Sequence, residues 1–250
     1  MKASRLVWVA AIVLWIALAG QTAAAEEFGD ITGEFITEGF VPIQPPLLKG
    51  GGPLRFEVPN ESYVVDKKTG GVANVFIYLR RAPANIPPEL SRRKEPEVQL
   101  TIEQRRYVPH ALVVRTDQKL RFTSADPVEH NIHTYTLANP QQNFILKPMD
   151  KKGIAVALKA RETLPVPIKD DIHPWMRSTL LVVDHPYAAV TDEEGRFTIK
   201  GLPAGEHSFR VWHEQRGYLE REWKVTVVGG KTSQLDPYVI PIGKLTAPKN

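Results

Sequence analysis

Proline interrupts this chain so often that long helices have almost nowhere to form. A proline inside a helix removes a backbone donor and clashes with the preceding turn, and the 250 residues contain 21 of them together with 17 glycines. Beyond residue 25 no stretch keeps a helical period of apolar residues. What remains are short runs rich in β-branched and aromatic residues, separated by turn signals. Residues 31–40 and 71–79 read as early strands, divided by Pro42, Pro45, Pro46 and three consecutive glycines at 50–52. Further strands are expected over residues 98–102, 111–115, 119–123, 154–158, 178–183, 196–200, 207–213 and 222–228. In Lys119-Leu120-Arg121-Phe122 the period of two buries Leu120 and Phe122 and turns Lys119 and Arg121 toward solvent. The same arithmetic gives Phe197 with Ile199, Phe209 with Val211, and Trp223 with Val225 and Val227 as core positions. The expected class is all-β, in one or two domains.

The first 25 residues form a separate unit. Lys2 and Arg5 precede an uncharged apolar run from Leu6 to Gly20, and Ala23-Ala24-Ala25 lead into Glu26-Glu27. This is the layout of an export signal, and the run is short of the ~20 apolar residues that span a bilayer. The mature chain is then expected from Glu26, periplasmic or secreted, with no membrane span after cleavage.

Charge and motif content exclude several functions. The chain carries 32 Lys+Arg against 28 Asp+Glu, and Lys2 and Arg5 account for half of the excess of four. So even a balance lacks the concentrated basic stripe that a nucleic-acid ligand demands. There is no cysteine, which removes disulfides, thiolate catalysis and cysteine metal sites together. The sequence has no dinucleotide or phosphate-loop glycine motif, no G-x-S-x-G elbow and no His-Glu-x-x-His zinc helix, so nothing indicates an enzyme.

The residues suited to chemistry fall in two stretches, residues 126–133 (DPVEHNIH) and 170–176 (DDIHPWM). Histidine offers a borderline nitrogen and methionine a soft thioether, a mixture that suits copper better than magnesium or calcium. Pro174 bends the chain so that His173 and Met176 can turn toward one point, while His130 arrives from another strand end. His133, three residues on, faces away from His130 if the strand is extended, and His110 lies before its own strand; both are additional metal candidates. His185 and His213 are read as structural, and Trp175 as core packing.

These residues carry a resemblance. KLRFTSADPVEHNIH looks like the cupredoxin strand and loop that deliver the first copper histidine, and DDIHPWMRSTLLVV like the closing ligand loop, whose family pattern is Cys-x-x-His-x-x-Met. With RYVPHALVV and DHPYAAVTDEEGRFTIKGLPAGEHSFRVWHE, the chain from about residue 71 to 228 resembles exported bacterial cupredoxin-like (methylamine-utilization-like) proteins. In these, a cupredoxin portion runs into a carboxypeptidase-regulatory-like, or transthyretin-like (prealbumin-like), sandwich. The resemblance implies a signal peptide over 1–25, N-terminal strands and loops over 26–97, shared with the C-terminal sandwich, a cupredoxin-like Greek-key sandwich over 98–184, and the regulatory-like sandwich with a tail over 185–250. It carries the copper ligands onto His130, His173 and an axial Met176. Asp170 stands where the family has its cysteine, and a second cysteine that relatives often carry near Arg105 is also missing. A carboxylate there implies a pale, type 2-like copper centre, with zinc as the alternative metal. Electron transfer with a periplasmic redox partner or an envelope protein is the implied role. A scaffold module that has lost the metal and recognises protein or carbohydrate is the rival expectation.

Overall fold

The computed structural model describes residues 28–246 apart from 40, 43 and 50–56; the leader expected over residues 1–25 lies outside them. Among the described residues there are 19 strands and two helices, the helices being only four and five residues long. The all-β expectation holds, for the reason that proline and glycine placement gave. Among the described residues no helix is long and apolar enough to cross a membrane.

The middle of the chain makes one sandwich. Its first sheet runs in the order Asn143–Leu146, His130–Thr134, Val166–Lys169, Arg177–Val183 and Ala111–Arg115. Opposite it lie Ile154–Ala157, Lys119–Ser124, Glu97–Glu103 and Arg106–Val108. Leu100, Leu120, Phe122, Ile132, Ile168 and Leu180 fill the space between them. Leu120 and Phe122 point inward as their alternation requires. Lys119 is exposed, and half-buried Arg121 forks onto both oxygens of Glu97 at 2.7 and 2.8 Å.

A second sandwich is assembled from both ends. Phe28–Ile36 pairs antiparallel with Arg196–Pro203 and parallel with Thr232–Gln234 and Tyr238–Val239. The facing sheet contains Ala188–Val190, Phe76–Leu79, Gly205–His213 and Gly217–Val227. Phe35 centres the core, with Phe197, Trp223 and Tyr238 rings at 5.7, 5.5 and 4.9 Å.

The two sandwiches share a seam. In Arg177–Val183 every residue after the first is buried, because Leu180 and Val182 enter the middle core while Leu181 and Val183 turn the other way. There they meet Phe76, Tyr78 and Ala111, with Val113, Ala188, Val190 and Trp212 packed around them. Burial on both faces explains why this strand reads as a continuous apolar run. Leu181→Ala should therefore lower unfolding stability by about 3 kcal/mol in urea titrations; an unchanged midpoint would mean that the seam contributes nothing.

Several strands depart from the sequence reading. Residues 31–40 were expected as one strand, but the observed strand starts at Phe28 and stops at Ile36, short of Gly39 with its φ of 95°. Within 71–79 only Phe76–Leu79 is regular, since Asn74 takes a φ of 63° that breaks the run. His130–Thr134 and Val166–Lys169 were not expected at all. The first buries polar residues in place of an alternating apolar set, and the second contains Pro167, which has no ladder donor.

Candidate metal centre

Adjacent strands bring the two stretches together. Val166–Lys169 lies antiparallel to His130–Thr134, with Lys169 opposite His133, so the end of one strand reaches the start of the other. Residues 170–176 then connect Val166–Lys169 to its other neighbour, Arg177–Val183. They close over the rim where His130 begins.

Asp170 organises this loop. Its Oδ1 accepts the amides of Ile172 and His173 at 2.8 and 2.9 Å, a side-chain-closed turn that a short acidic residue makes readily. The turn returns the His173 ring to Asp170, whose Oδ2 lies 3.0 Å from His173 Nδ1. The same Oδ2 lies 2.9 Å from His130 Nδ1. The imidazole centroids are 4.8 Å apart, and the donor atoms of His130, Asp170 and His173 all fall within 4.8 Å of one another. His130 and Asp170 are buried, while His173 keeps some access to solvent.

A second acid holds the far side of His130. Its Nε2 lies 3.2 Å from Asp126 Oδ2, and Asp126 is fixed by the amides of Gln104 and Arg105 at 2.7 and 2.8 Å. Both of those residues have positive φ, 52° and 60°, as the two central residues of the tight hairpin between Glu97–Glu103 and Arg106–Val108 require, and their N–H groups meet the same carboxylate. With carboxylates at both nitrogens, His130 can donate to both only as an imidazolium. Sequence reasoning gave Asp126 no role. The signal available was its place four residues before His130 in DPVEH, where a turn carries the carboxylate back to the ring.

Burial would push the Asp170 carboxyl upward, but hydrogen bonds from His130 and His173 and from the two amides outweigh it and lower it from 3.8 to about 2. Because the folded value is depressed, the stabilisation this carboxylate gives is complete above 3.8 and is lost as pH falls toward about 2. Thermal unfolding at a series of acid pH values should therefore show a steeper loss for the wild-type chain than for Asp170→Asn across that window. Parallel curves would show that Asp170 carries no such linkage.

The remaining candidates are placed differently. Met176 is buried in the core of the middle sandwich with Trp175 packed against it, and its amide donates to the His173 carbonyl at 2.9 Å. Trp175 stands edge-on to the His173 ring at 5.2 Å. His133 turns to the other side of its strand, 2.8 Å from Asp171 and stacked on Tyr135. His110 lies between two acids, with Nε2 2.9 Å from Glu214 and Nδ1 3.7 Å from Glu61. Neither joins the group of three. His185 is buried, 3.0 Å from the Leu79 carbonyl, and accepts the Tyr187 amide at 3.1 Å. As a contrast, His133→Ala should cost about 0.5 kcal/mol, since its carboxylate partner is largely exposed; a loss several times larger in urea titrations would contradict this.

The donor set decides which ions fit. Two imidazole nitrogens and a carboxylate oxygen suit Cu(II) or Zn(II), whose bonds of about 2.0 to 2.2 Å place neighbouring ligands roughly 3.3 Å apart. The nitrogen–oxygen separations are of hydrogen-bond length, 2.9 and 3.0 Å, and all three donor atoms lie within 4.8 Å of one another, so a cation would have to bring the donors to its own ligand spacing.

No protein-family model and no curated protein matches the chain. Among solved structures it is similar to amicyanin from Paracoccus versutus, at 13% identity over 44% of this chain and 98% of that one, with a TM-score of 0.30. It is similar also to a purple cupredoxin from Nitrosopumilus maritimus, at 19% identity over 34% of this chain and 97% of that one, TM-score 0.28. A copper-containing nitrite reductase from Thermus scotoductus SA-01 is similar at 14% identity over 34% of this chain and 22% of that one, TM-score 0.29.

Proposed function

We propose that this chain is an exported, non-enzymatic metal-binding protein of cupredoxin type. In this reading His130, His173 and Asp170 would hold copper in a non-blue, type 2-like site, with the thioether of Met176 as a fourth candidate donor and zinc as the competing ion. The observation that supports it is the shared focus of both Nδ1 atoms on one Asp170 oxygen, at 2.9 and 3.0 Å. Bound copper would supply one-electron exchange between Cu(II) and Cu(I). The chain's own residues set its terms: the carboxylate is harder than a thiolate and favours Cu(II), lowering the reduction potential. The edge of Trp175 beside His173 limits solvent at the ring. Electron transfer with a periplasmic or envelope partner follows as the role, on the export signal read in the first 25 residues.

A second reading has its own support. Asp126 and Asp170 lie within hydrogen-bond distance of both nitrogens of His130, so the same cluster can serve as a closed hydrogen-bond network in a binding or scaffold module for protein or carbohydrate. Titration of tag-free protein with Cu(II) separates the two. Stoichiometric uptake with a type 2 paramagnetic spectrum supports the metal reading, and absence of saturable uptake of both Cu(II) and Zn(II) leaves the scaffold.

A further inference from the structure

His130 is gripped on two faces, and only one of them gathers further metal donors. On the Nδ1 face stand Asp170 and the second imidazole, His173. Among the described residues the one group of three donors that could hold an ion lies there. On the Nε2 face stands Asp126, 3.2 Å away, with most of its bonding capacity taken by backbone. Its Oδ1 accepts the Gln104 amide at 2.7 Å and its Oδ2 the Arg105 amide at 2.8 Å. A carboxylate oxygen has two lone pairs, so Oδ2 keeps one for a proton from His130.

Asp126 is itself immobilised. It is buried, its amide donates to Ser124 Oγ at 3.2 Å, and its carbonyl accepts the Met149 amide at 2.8 Å. One residue thus ties the turn after Lys119–Ser124 to the hairpin at 104–105 and to the loop that follows Asn143–Leu146. A ring that donates to so fixed an acceptor has a fixed orientation.

We propose that Asp126 is a positioning residue for the candidate metal centre, keeping a proton on His130 Nε2 so that Nδ1 is the nitrogen presented to an ion beside Asp170 and His173. An imidazole takes a cation through one nitrogen, and the hydrogen bond made by the other decides which. Without Asp126, Asp170 would be the one carboxylate left at the ring. A neutral His130 would then carry its proton on Nδ1, in the place the ion needs. The use of this device rests on the metal reading above; the place of the proton does not.

The test reads the histidine ring nitrogens of isotope-labelled, tag-free protein by NMR, first metal-free and then during titration with Zn(II), which is diamagnetic. Metal-free wild type should show a slowly exchanging His130 Nε2–H, and that proton should persist while Zn(II) shifts Nδ1. Asp126→Ala should lose the Nε2–H signal and bind Zn(II) about 10- to 100-fold more weakly, its thermal midpoint reporting that it folds. Asp171→Asn removes a nearby charge of the same sign that meets His133 and not His130, and should bind Zn(II) within about twofold of wild type. A wild-type ring whose only proton sits on Nδ1 would overturn the proposal, even if Asp126→Ala did not fold. So would an equal loss of affinity in Asp171→Asn, since charge alone would then account for Asp126. Uptake of neither Zn(II) nor Cu(II) by wild type removes the metal reading and the positioning role together, whereas wild-type uptake with unchanged affinity in folded Asp126→Ala removes the positioning role alone.

Discussion

Asp170→Ala should cost the metal-free protein about 4 kcal/mol of unfolding stability and lower its thermal midpoint by roughly 10 °C for a chain of this size. The side chain is small, so the loss does not come from a cavity. One carboxylate serves two imidazoles and two amides, and its removal strands all four donors, one of them on a fully buried ring. Asp170→Asn keeps an oxygen for the amides of Ile172 and His173 and should cost about half as much. Urea titration at neutral pH measures both. If Asp170→Ala lost less than about 1 kcal/mol, the cluster would not be the organiser of its loop.

The larger change is expected in colour. Copper-loaded wild-type protein, lacking any thiolate, should be nearly colourless, whereas Asp170→Cys should gain an intense visible charge-transfer band on adding Cu(II). The argument is positional: the Asp170 carboxylate points at both imidazole Nδ1 atoms, so a sulfur there meets the same ion. His130→Ala and His173→Ala should each weaken Cu(II) binding at least about 100-fold, more than loss of an outer-shell partner. A colourless Asp170→Cys protein that nevertheless binds Cu(II) stoichiometrically would place the ion elsewhere.

How far the sequence could be read is clear from individual residues. The alternation around Leu120 and Phe122 identifies the inward face that the strand adopts, and the same period puts Phe197, Ile199, Phe209 and Val211 in the core where they lie. His130 and His173 could be expected to converge because each lies in a short loop at a strand end. Their common partner was harder to see. Asp170 was singled out only by the cysteine it replaces, since spacing cannot tell a ligand from a turn-closing acid, and the structure has it closing the turn as well. Asp126 escaped notice because its role depends on two amides from residues 104 and 105, held by backbone twists that no local pattern announces. The strand His130–Thr134 was missed for a related reason: buried polar side chains satisfied by distant partners carry no hydrophobic period.

The pairing of Phe28–Ile36 with Arg196–Pro203 and with strands beyond residue 230 bears on how the molecule is born. All strands of the middle sandwich come from one contiguous stretch, residues 97–183, so its sheets close without a strand from elsewhere in the chain. The opening strand must wait for partners some 170 residues downstream, and closing so long a loop is slow. Until then its apolar face is uncovered, and a holdase engaging the unfolded chain would find its natural target there.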